Sequence, residues 1–243
     1  MSAAAIGTAL GAEALVFEPH RIRQSAVRFS AAPQTRFVFW SDFHYRGDEA
    51  YATHLVETIN KLRPDFVCFV GDLVDDRNFQ EPALEFIKRI NAPVFGVPGN
   101  HDYHSRSSFS LNRKAFESTG GGWLINKIAT VGEAGVQLCC SAERYVGFVP
   151  ALHTAKRILL SHYPITANET AGKNFDAILA GHSHGGQVRI PFYGAVVLPR
   201  FVGRYEWGRY PTPGGPLYVT CGIGTYKVPA RLNCAPEVVV AEI

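Results

Sequence analysis

The chain has 243 residues, 47% of them apolar, and a formal net charge of +3. This length and apolar content suffice for a substantial core. The sequence contains no run of about 20 apolar residues, which is the length that a membrane-spanning helix needs. The small net charge gives no support for binding nucleic acid through bulk electrostatics, and the five cysteines show no paired spacing.

The chain begins with an apolar stretch, residues 3–17, that is rich in Ala and Gly and interrupted by Glu13. It is too short for a transmembrane helix, and no basic residues precede it. We therefore divide the chain into an N-terminal segment, residues 1–35, and one domain, residues 36–243. Two interpretations of the segment stay open: the remnant of a signal or membrane anchor, or a plain packing segment.

Strands and helices alternate in the first part of the domain. Periodicity predicts helices over residues 49–62, 81–90 and 110–118. Apolar runs predict strands over residues 37–40, 66–70, 93–97, 158–160 and 177–180. The order strand, loop, helix, strand is typical of βαβ units, so the first half should contain parallel strands with covering helices.

Beyond residue 185 the pattern changes. Short β-type segments lie between Gly- and Pro-rich turns and predict a second, mostly antiparallel sheet. These segments are residues 187–190, 195–198, 217–220 and 237–243.

Polar residues of a few types directly follow each of the five apolar runs. They are Asp42 and His44, Asp72 and Asp75, Asn100 to Asp102, His162, and His182 and His184. Because loops at the carboxyl ends of strands converge in open α/β sheets, these side chains should share one site. The site would contain two Asp, one Asn and four His, an oxygen and nitrogen donor set without thiolate that suits Mn, Fe or Zn. These seven donors are too many for one tetrahedral ion.

These blocks, D-x-H, G-D-x-x-D, G-N-H-D, a single His and G-H-x-H, resemble in order the calcineurin-like metallophosphoesterase family. The resemblance implies an α/β fold, a two-sheet β-sandwich flanked by helices, with the active site at the carboxyl ends of the strands. It also implies two divalent metal ions, for which we expect Mn, with Fe or Zn as alternatives. The first ion would be held by Asp42, His44, Asp72 and His184, and the second by Asp72, Asn100, His162 and His182.

The resemblance assigns further roles around the metals. A metal-bridging hydroxide would attack phosphorus in line, and His101 would donate a proton to the leaving oxygen. Asp75 and Asp102 would orient neighbouring groups without touching metal. No nucleophilic side chain is required, and no Gly-x-Ser-x-Gly sequence is present.

The sequence from Gly181 to Gln187 and from Gly222 to Glu237 is further similar to a bacterial membrane-associated subgroup. That subgroup includes phosphodiesterases and UDP-diacylglucosamine pyrophosphatases. Three interpretations follow: a phosphodiesterase or pyrophosphatase, specifically a UDP-2,3-diacylglucosamine pyrophosphatase of lipid A biosynthesis, or a non-catalytic metal-binding scaffold with the same fold. All seven ligands and His101 are present, which favours the enzyme.

The substrate is expected to be a phosphate-containing small molecule or a lipid-linked one, and no nucleic-acid partner is expected. Candidates for substrate binding are Arg189, Arg204 and His104. Most basic residues of the last quarter should solvate the surface; they are Arg189, Arg200, Arg204, Arg209, Lys227 and Arg231. Phe192, Val202 and Trp207 are candidates for lipid contact. We expect a peripheral membrane or cytoplasmic location in a bacterium, with export as a further alternative.

Overall fold

The structure is a computed structural model that describes residues 3–132, 135–141 and 156–243. Its α-helices are α1 (Ala3–Ala12), α2 (Glu49–Lys61), α3 (Gln80–Lys88), α4 (Asn100–His104) and α5 (Phe109–Ser118). Its strands are β1 (Arg23–Arg28), β2 (Arg36–Trp40), β3 (Phe66–Phe69), β4 (Val94–Gly96), β5 (Gly122–Trp123), β6 (Ile128–Val131), β7 (Val136–Ser141), β8 (Arg157–Ser161), β9 (Ala177–Ala180), β10 (Arg189–Ile190), β11 (Gly194–Ala195), β12 (Gly208–Thr212), β13 (Gly215–Val219) and β14 (Glu237–Glu242).

The first sheet has the strand order β1-β14-β2-β3-β4-β5 among the described residues. Strands β2 to β5 run parallel, as the alternation of strands and helices predicts. Strand β14 joins β2 in antiparallel pairing and β1 in parallel pairing. The sheet is therefore parallel on the side that carries the first three polar blocks.

The second sheet has the order β12-β13-β9-β8-β7-β6 in the described part of the chain. The prediction of a mostly antiparallel sheet beyond residue 185 was wrong, because β13, β9, β8 and β7 pair in parallel. Residues 237–242 leave for the first sheet, and β10 and β11 form a separate antiparallel ribbon. An apolar run identifies a strand, but its pairing partner depends on contacts distant in sequence.

Two layers of apolar side chains bury both faces of the first sheet. Phe37 and Phe39 point towards the second sheet, where they share a core with Leu160 and Leu179. The alternate residues of β2 face the helices; Val38 and Trp40 pack with side chains of α2, α3 and α5. The predicted two-sheet sandwich flanked by helices is thus confirmed.

The three predicted helices form close to their expected bounds. Asp48 accepts a hydrogen bond from the backbone N–H of Tyr51 at 2.9 Å and so caps the start of α2. Leu55 and Ile59 lie on its buried face. The helix ends before Arg63, whose φ of 47° is left-handed and which precedes a proline.

The N-terminal segment continues from α1 through short turns into the first sheet. Residues 13–17 form a π-helical turn, residues 18–20 a 3₁₀ turn, and β1 then pairs with β14. The domain boundary at residue 36 stays a prediction. Within the residues that the structure describes, no helix combines the length and the apolar character needed to cross a membrane.

Candidate metal centre

The predicted metal ligands lie in loops at the carboxyl ends of five strands. Asp42 and His44 follow β2, Asp72 follows β3, and α4 begins at Asn100 just beyond β4. The remaining histidines follow β8 and β9 of the second sheet, so both sheets contribute to one site. The loops turn sharply at the site, with a positive φ at the predicted ligands Asp42, His44, Asp72, His182 and His184. Such left-handed backbone outside glycine costs energy and concentrates at functional sites.

The first group of donor atoms comes from Asp42, His44 and His184. The Nε2 atoms of His44 and His184 lie 3.2 Å apart. Asp42 Oδ1 lies 3.5 Å from His184 Nε2. All three residues are buried, so their donor atoms converge on a point that is shielded from solvent.

The second group comes from Asp72, His162 and His182, with Asn100 beside them. His162 Nε2 lies 3.1 Å from both Asn100 Oδ1 and His182 Nδ1, and 3.2 Å from Asp72 Oδ2. The same Asp72 Oδ2 lies 3.6 Å from His44 Nε2 in the first group. Asp72 is therefore common to the two groups of donors.

Three histidines are oriented by a hydrogen bond at the ring nitrogen that faces away from the site. His44 Nδ1 lies 2.6 Å from Asp75 Oδ1, His162 Nδ1 lies 2.9 Å from the Val70 carbonyl, and His182 Nε2 lies 2.7 Å from the Arg200 carbonyl. Because each of these outer nitrogens faces an acceptor and donates its proton there, the inner nitrogen is the one that can offer a lone pair to a metal ion. This is the arrangement that metal-ligating histidines usually have.

The electrostatics of the donors fit divalent cations. Burial, followed by the charge of His162, lowers the pKa of His182 to about 3, and burial lowers that of His184 well below its usual range. Burial would also lower the pKa of His162, but Asp72 and Asp42 raise it to about 9. Burial raises the pKa of Asp42, while the histidines around Asp72 overcome its burial and hold its pKa low. Nitrogen and carboxylate donors buried this close together are a set that cations would stabilise.

His101 lies next to the first group and is not part of either. Its ring is 4.9 Å from that of His44, and its Nδ1 lies 2.8 Å from Asp75 Oδ1. Asp75 in turn accepts hydrogen bonds from Arg46, through Nε at 3.1 Å and through Nη2. One carboxylate thus contacts both a predicted metal ligand and the predicted proton donor.

Asp102 is fully buried and holds the loops together through its carboxylate. It accepts backbone N–H bonds from Asp72 at 3.0 Å, Leu73 at 3.1 Å and Gly99 at 2.8 Å. Burial and the charge of Asp72 raise its pKa to about 7, against the effect of these three donors. Its position fits the predicted orienting role, since its carboxylate binds the backbone N–H of Asp72.

The predicted substrate-binding residues are less closely grouped. His104 is exposed, with its ring 5.7 Å from that of His101. Arg189 bonds the Gly185 carbonyl at 2.7 Å and pairs with Glu206 at 3.2 Å, next to the loop that carries His184. Arg204 is exposed and lies over the Tyr205 ring. Their roles stay predictions.

Two expectations about the C-terminal quarter were wrong. Arg231 does not solvate the surface but is fully buried, donating to the carbonyls of Cys221, Gly224 and Cys234. Backbone carbonyls left free by irregular loops supply these partners, which a sequence does not reveal. Val202 is buried as well, and the half-buried Trp207 bonds Glu237 at 3.1 Å. Of the three candidates for lipid contact, Phe192 is the exposed one.

Sequence reasoning missed two residues that adjoin the donors. The Tyr226 ring lies 4.7 Å from that of His101, 5.8 Å from His44 and 6.3 Å from His184. Gly222 also approaches the site so closely that an added Cβ would lie 2.7 Å from Asp42 Cβ. The glycine pattern of residues 222–224 was a signal for close approach, whereas nothing local marks Tyr226.

Comparison with known proteins agrees with this geometry. The family model for calcineurin-like phosphoesterases matches residues 35–186. An uncharacterised metallophosphoesterase of Bacillus subtilis, YkuE, is 28% identical over 92% of this chain and 86% of its own length. The phosphodiesterase YaeI of Escherichia coli is 28% identical, over 93% of this chain and 88% of its own. An uncharacterised metallophosphoesterase of Aquifex aeolicus is 32% identical, over 74% and 73%.

The family match covers more than half of the chain and includes all the polar blocks that form the site. The two-sheet fold and the convergent His and Asp donors are what the sequence resemblance implies. The chain belongs to the calcineurin-like phosphoesterase family and is a phosphoester hydrolase with a divalent metal centre.

Proposed function

We propose that this hydrolase cleaves phosphodiester or pyrophosphate bonds at a dinuclear metal site. The observation that supports two ions is the position of Asp72, whose Oδ2 lies within 3.6 Å of His44 Nε2 and 3.2 Å of His162 Nε2. A carboxylate between two groups of donors can serve both ions. Mn is the proposed metal, with Fe or Zn as alternatives, since this donor set suits all three.

The protein's own groups would position the substrate for in-line displacement. A pair of divalent ions, when bound, neutralises phosphoryl charge and supplies an activated water. His101 would hold a proton on Nε2 and donate it to the leaving oxygen, because Asp75 engages its Nδ1. Asp75 and Asp102 would keep the rings and loops in place, and neither would need to contact the substrate.

Metal removal and replacement tests this proposal. Protein stripped with EDTA should be inactive on bis(p-nitrophenyl) phosphate, and activity should return with two equivalents of Mn, Fe or Zn, which also ranks the metals. The Asp72→Asn variant should be inactive and should bind one equivalent of metal instead of two. A fully folded protein that binds two ions but cleaves neither this diester nor a pyrophosphate would favour the scaffold interpretation instead.

A narrower candidate is the UDP-2,3-diacylglucosamine pyrophosphatase of lipid A biosynthesis, which would act on a lipid-linked substrate. The exposed apolar residues on the β10–β11 hairpin support contact with a lipid surface near the site. Phe192 and Tyr193 stand at its turn with relative exposures of 111% and 74%, and Val197 follows at 72%. Release of UMP from UDP-diacylglucosamine tests this candidate; cleavage of simple diesters alone would reject it.

We also propose that the hairpin makes a peripheral membrane contact. Apolar side chains exposed on one turn, with the exposed Arg200 nearby in sequence, suit insertion beside anionic headgroups. Phe192→Ser with Tyr193→Ser should abolish co-flotation with vesicles that contain anionic lipid. Ile128→Ser, which alters an exposed residue of the second sheet, is the matched control and should leave flotation unchanged.

A further inference from the structure

A cavity of about 240 Å³ lies between the N-terminal segment and two loops of the metal centre. Its walls come from three stretches of the chain and are formed by Leu15, Pro19, His20, Phe43, His44, Tyr45, Arg46, Asp48, Tyr51, Ile223, Gly224, Thr225 and Pro229. Leu15, Pro19, Phe43 and Ile223 make part of this lining apolar. The N-terminal segment therefore contributes directly to a concave surface of the domain.

The cavity adjoins the metal centre through one residue of its wall. His44, a predicted ligand of the first ion, forms part of the wall, as does Arg46. Arg46 bonds Asp75, and Asp75 contacts the His101 ring at 2.8 Å. A substrate whose phosphoryl group reaches the first group of donors would have one substituent beside this cavity.

Hydrogen bonds hold the walls in place, so the cavity is preformed. The buried Glu18 carboxylate accepts the backbone N–H of Asn233 at 2.9 Å and that of Cys234. On the opposite wall, Tyr51 Oη donates to the Ile223 carbonyl at 2.6 Å. A site that is already formed does not need to be ordered by its ligand, which favours affinity.

The charges in the wall are already paired with each other or with nearby groups. Arg46 pairs with Asp75, and His20 Nε2 lies 3.6 Å from Asp48 Oδ2. A second anionic group on the substrate would find no unpaired cation among these side chains. The lining therefore suits an uncharged apolar group.

We propose that this cavity binds one ester substituent of the phosphate substrate, an apolar or aromatic group of about the size of a phenyl or hexyl group. Its volume is below the roughly 300 Å³ at which pockets begin to enclose a whole small-molecule ligand, so it takes one arm of the substrate. The inference rests on the proposed phosphodiesterase function and adds a substrate class to it.

Binding of n-alkylphosphonates tests the assignment, because each carries a single substituent. Isothermal titration of Mn-loaded protein with methyl-, butyl- and hexylphosphonate should give affinities that rise with chain length. Complete burial contributes about fourfold per methylene, so we expect at least about tenfold from methyl to hexyl. Binding, unlike turnover, is measured whether or not a given diester is cleaved.

Substitutions at two neighbouring residues test whether the cavity causes the gain in affinity. Leu15 lines the cavity and is 55% exposed, so Leu15→Glu should fold normally. It should lose most of the gain in affinity that a longer alkyl chain gives. Val16, which is 56% exposed and is not part of the lining, gives the matched control Val16→Glu, which should keep the gain.

Three results would overturn the inference, and they are distinguishable. Equal affinities for all three phosphonates in the unchanged protein would exclude an apolar subsite. An equal gain in both variants would place the subsite elsewhere. Absence of any phosphonate binding, together with no diester cleavage, would reject the proposed function and the inference with it.

Discussion

The Nδ1 atom of His101 lies 2.8 Å from the Oδ1 atom of Asp75. Burial lowers the pKa of His101, but the hydrogen bond that the ring donates to this carboxylate and the charge of Asp72 outweigh burial and raise the pKa. A raised pKa increases the fraction of imidazolium near neutral pH, the form that can donate a proton. The pair fixes both the orientation of the ring and its protonation.

The first prediction concerns His101→Gln. We expect kcat to fall about 100- to 10,000-fold, the usual contribution of general acid catalysis, while two metal ions still bind. The loss should be smaller for a p-nitrophenyl ester than for a phenyl ester, because p-nitrophenolate leaves without a proton. Steady-state kinetics with both esters and metal analysis provide the measurement. An equal loss for the two leaving groups would contradict the assigned role.

The second prediction concerns Asp75→Asn. Because this carboxylate contacts both His44 and His101, its loss should lower metal affinity or kcat by about 10- to 100-fold. Asp76→Asn is the matched control, since Asp76 only caps a short turn by accepting the N–H of Asn78 at 2.9 Å. The measurements are the metal affinity, by titration, and the kcat of the two variants. Indistinguishable values for Asp75→Asn and Asp76→Asn would refute the role of Asp75.

A third prediction compares two glycines with left-handed backbone. Gly222 has φ 67° and Gly172 has φ 75°, so alanine should strain both by about 1 kcal/mol. An added Cβ would meet Asp42 at Gly222, whereas at Gly172 it would meet no described atom within 4 Å. Gly222→Ala should therefore weaken metal binding, as measured by titration, whereas Gly172→Ala should not. Unchanged metal affinity in Gly222→Ala would show that Asp42 tolerates the displacement.

The fourth prediction concerns the buried Arg231. Arg231→Met should reduce the free energy of unfolding by roughly 3 kcal/mol or more, because several backbone carbonyls lose their donor inside the protein. Arg204→Met, at an exposed arginine, should change it by less than about 0.5 kcal/mol. Urea denaturation of both variants is the measurement. Equal stability of the two would mean that water replaces the guanidinium without penalty.

The fifth prediction concerns the two glutamates of the N-terminal segment. Glu18→Gln should lower the free energy of unfolding by about 1–3 kcal/mol, because the buried carboxylate accepts two backbone N–H groups. Glu13→Gln removes a partly exposed ion pair with Arg21, 3.1 Å apart, and should cost less than about 1 kcal/mol. Thermal or urea unfolding at neutral pH distinguishes them. A larger loss of unfolding free energy in Glu13→Gln than in Glu18→Gln would contradict this prediction.

The strands and the clustering of the donor side chains could be predicted because their signals are local. The strands that carry Asp42 and Asp72 are buried on both faces, so their sequences are continuous apolar runs that end abruptly in polar residues. Parallel strands bring such ends together, and that rule sufficed to gather the donors of both groups.

The partners of some strands and side chains could not be predicted, because they depend on contacts distant in sequence. Nothing in residues 237–242 indicates that they pair with β1 and β2 rather than with the second sheet. Arg231 resembles a surface cation until the carbonyls of the surrounding loops are known. Tyr226 reaches three histidines from a loop that has no regular pattern.

The insertion of β14 between β1 and β2 has a consequence for synthesis of the protein. Val240 pairs with Val38, about 200 residues earlier in the chain, so this strand leaves the ribosome long after its neighbours. Until then, among the described strands, β1 has no partner in the first sheet and the outer edge of β2 is open. A nascent chain in that state exposes a strand edge on which other chains can pair. Chaperone capture during translation should therefore be strongest before residues 237–242 emerge.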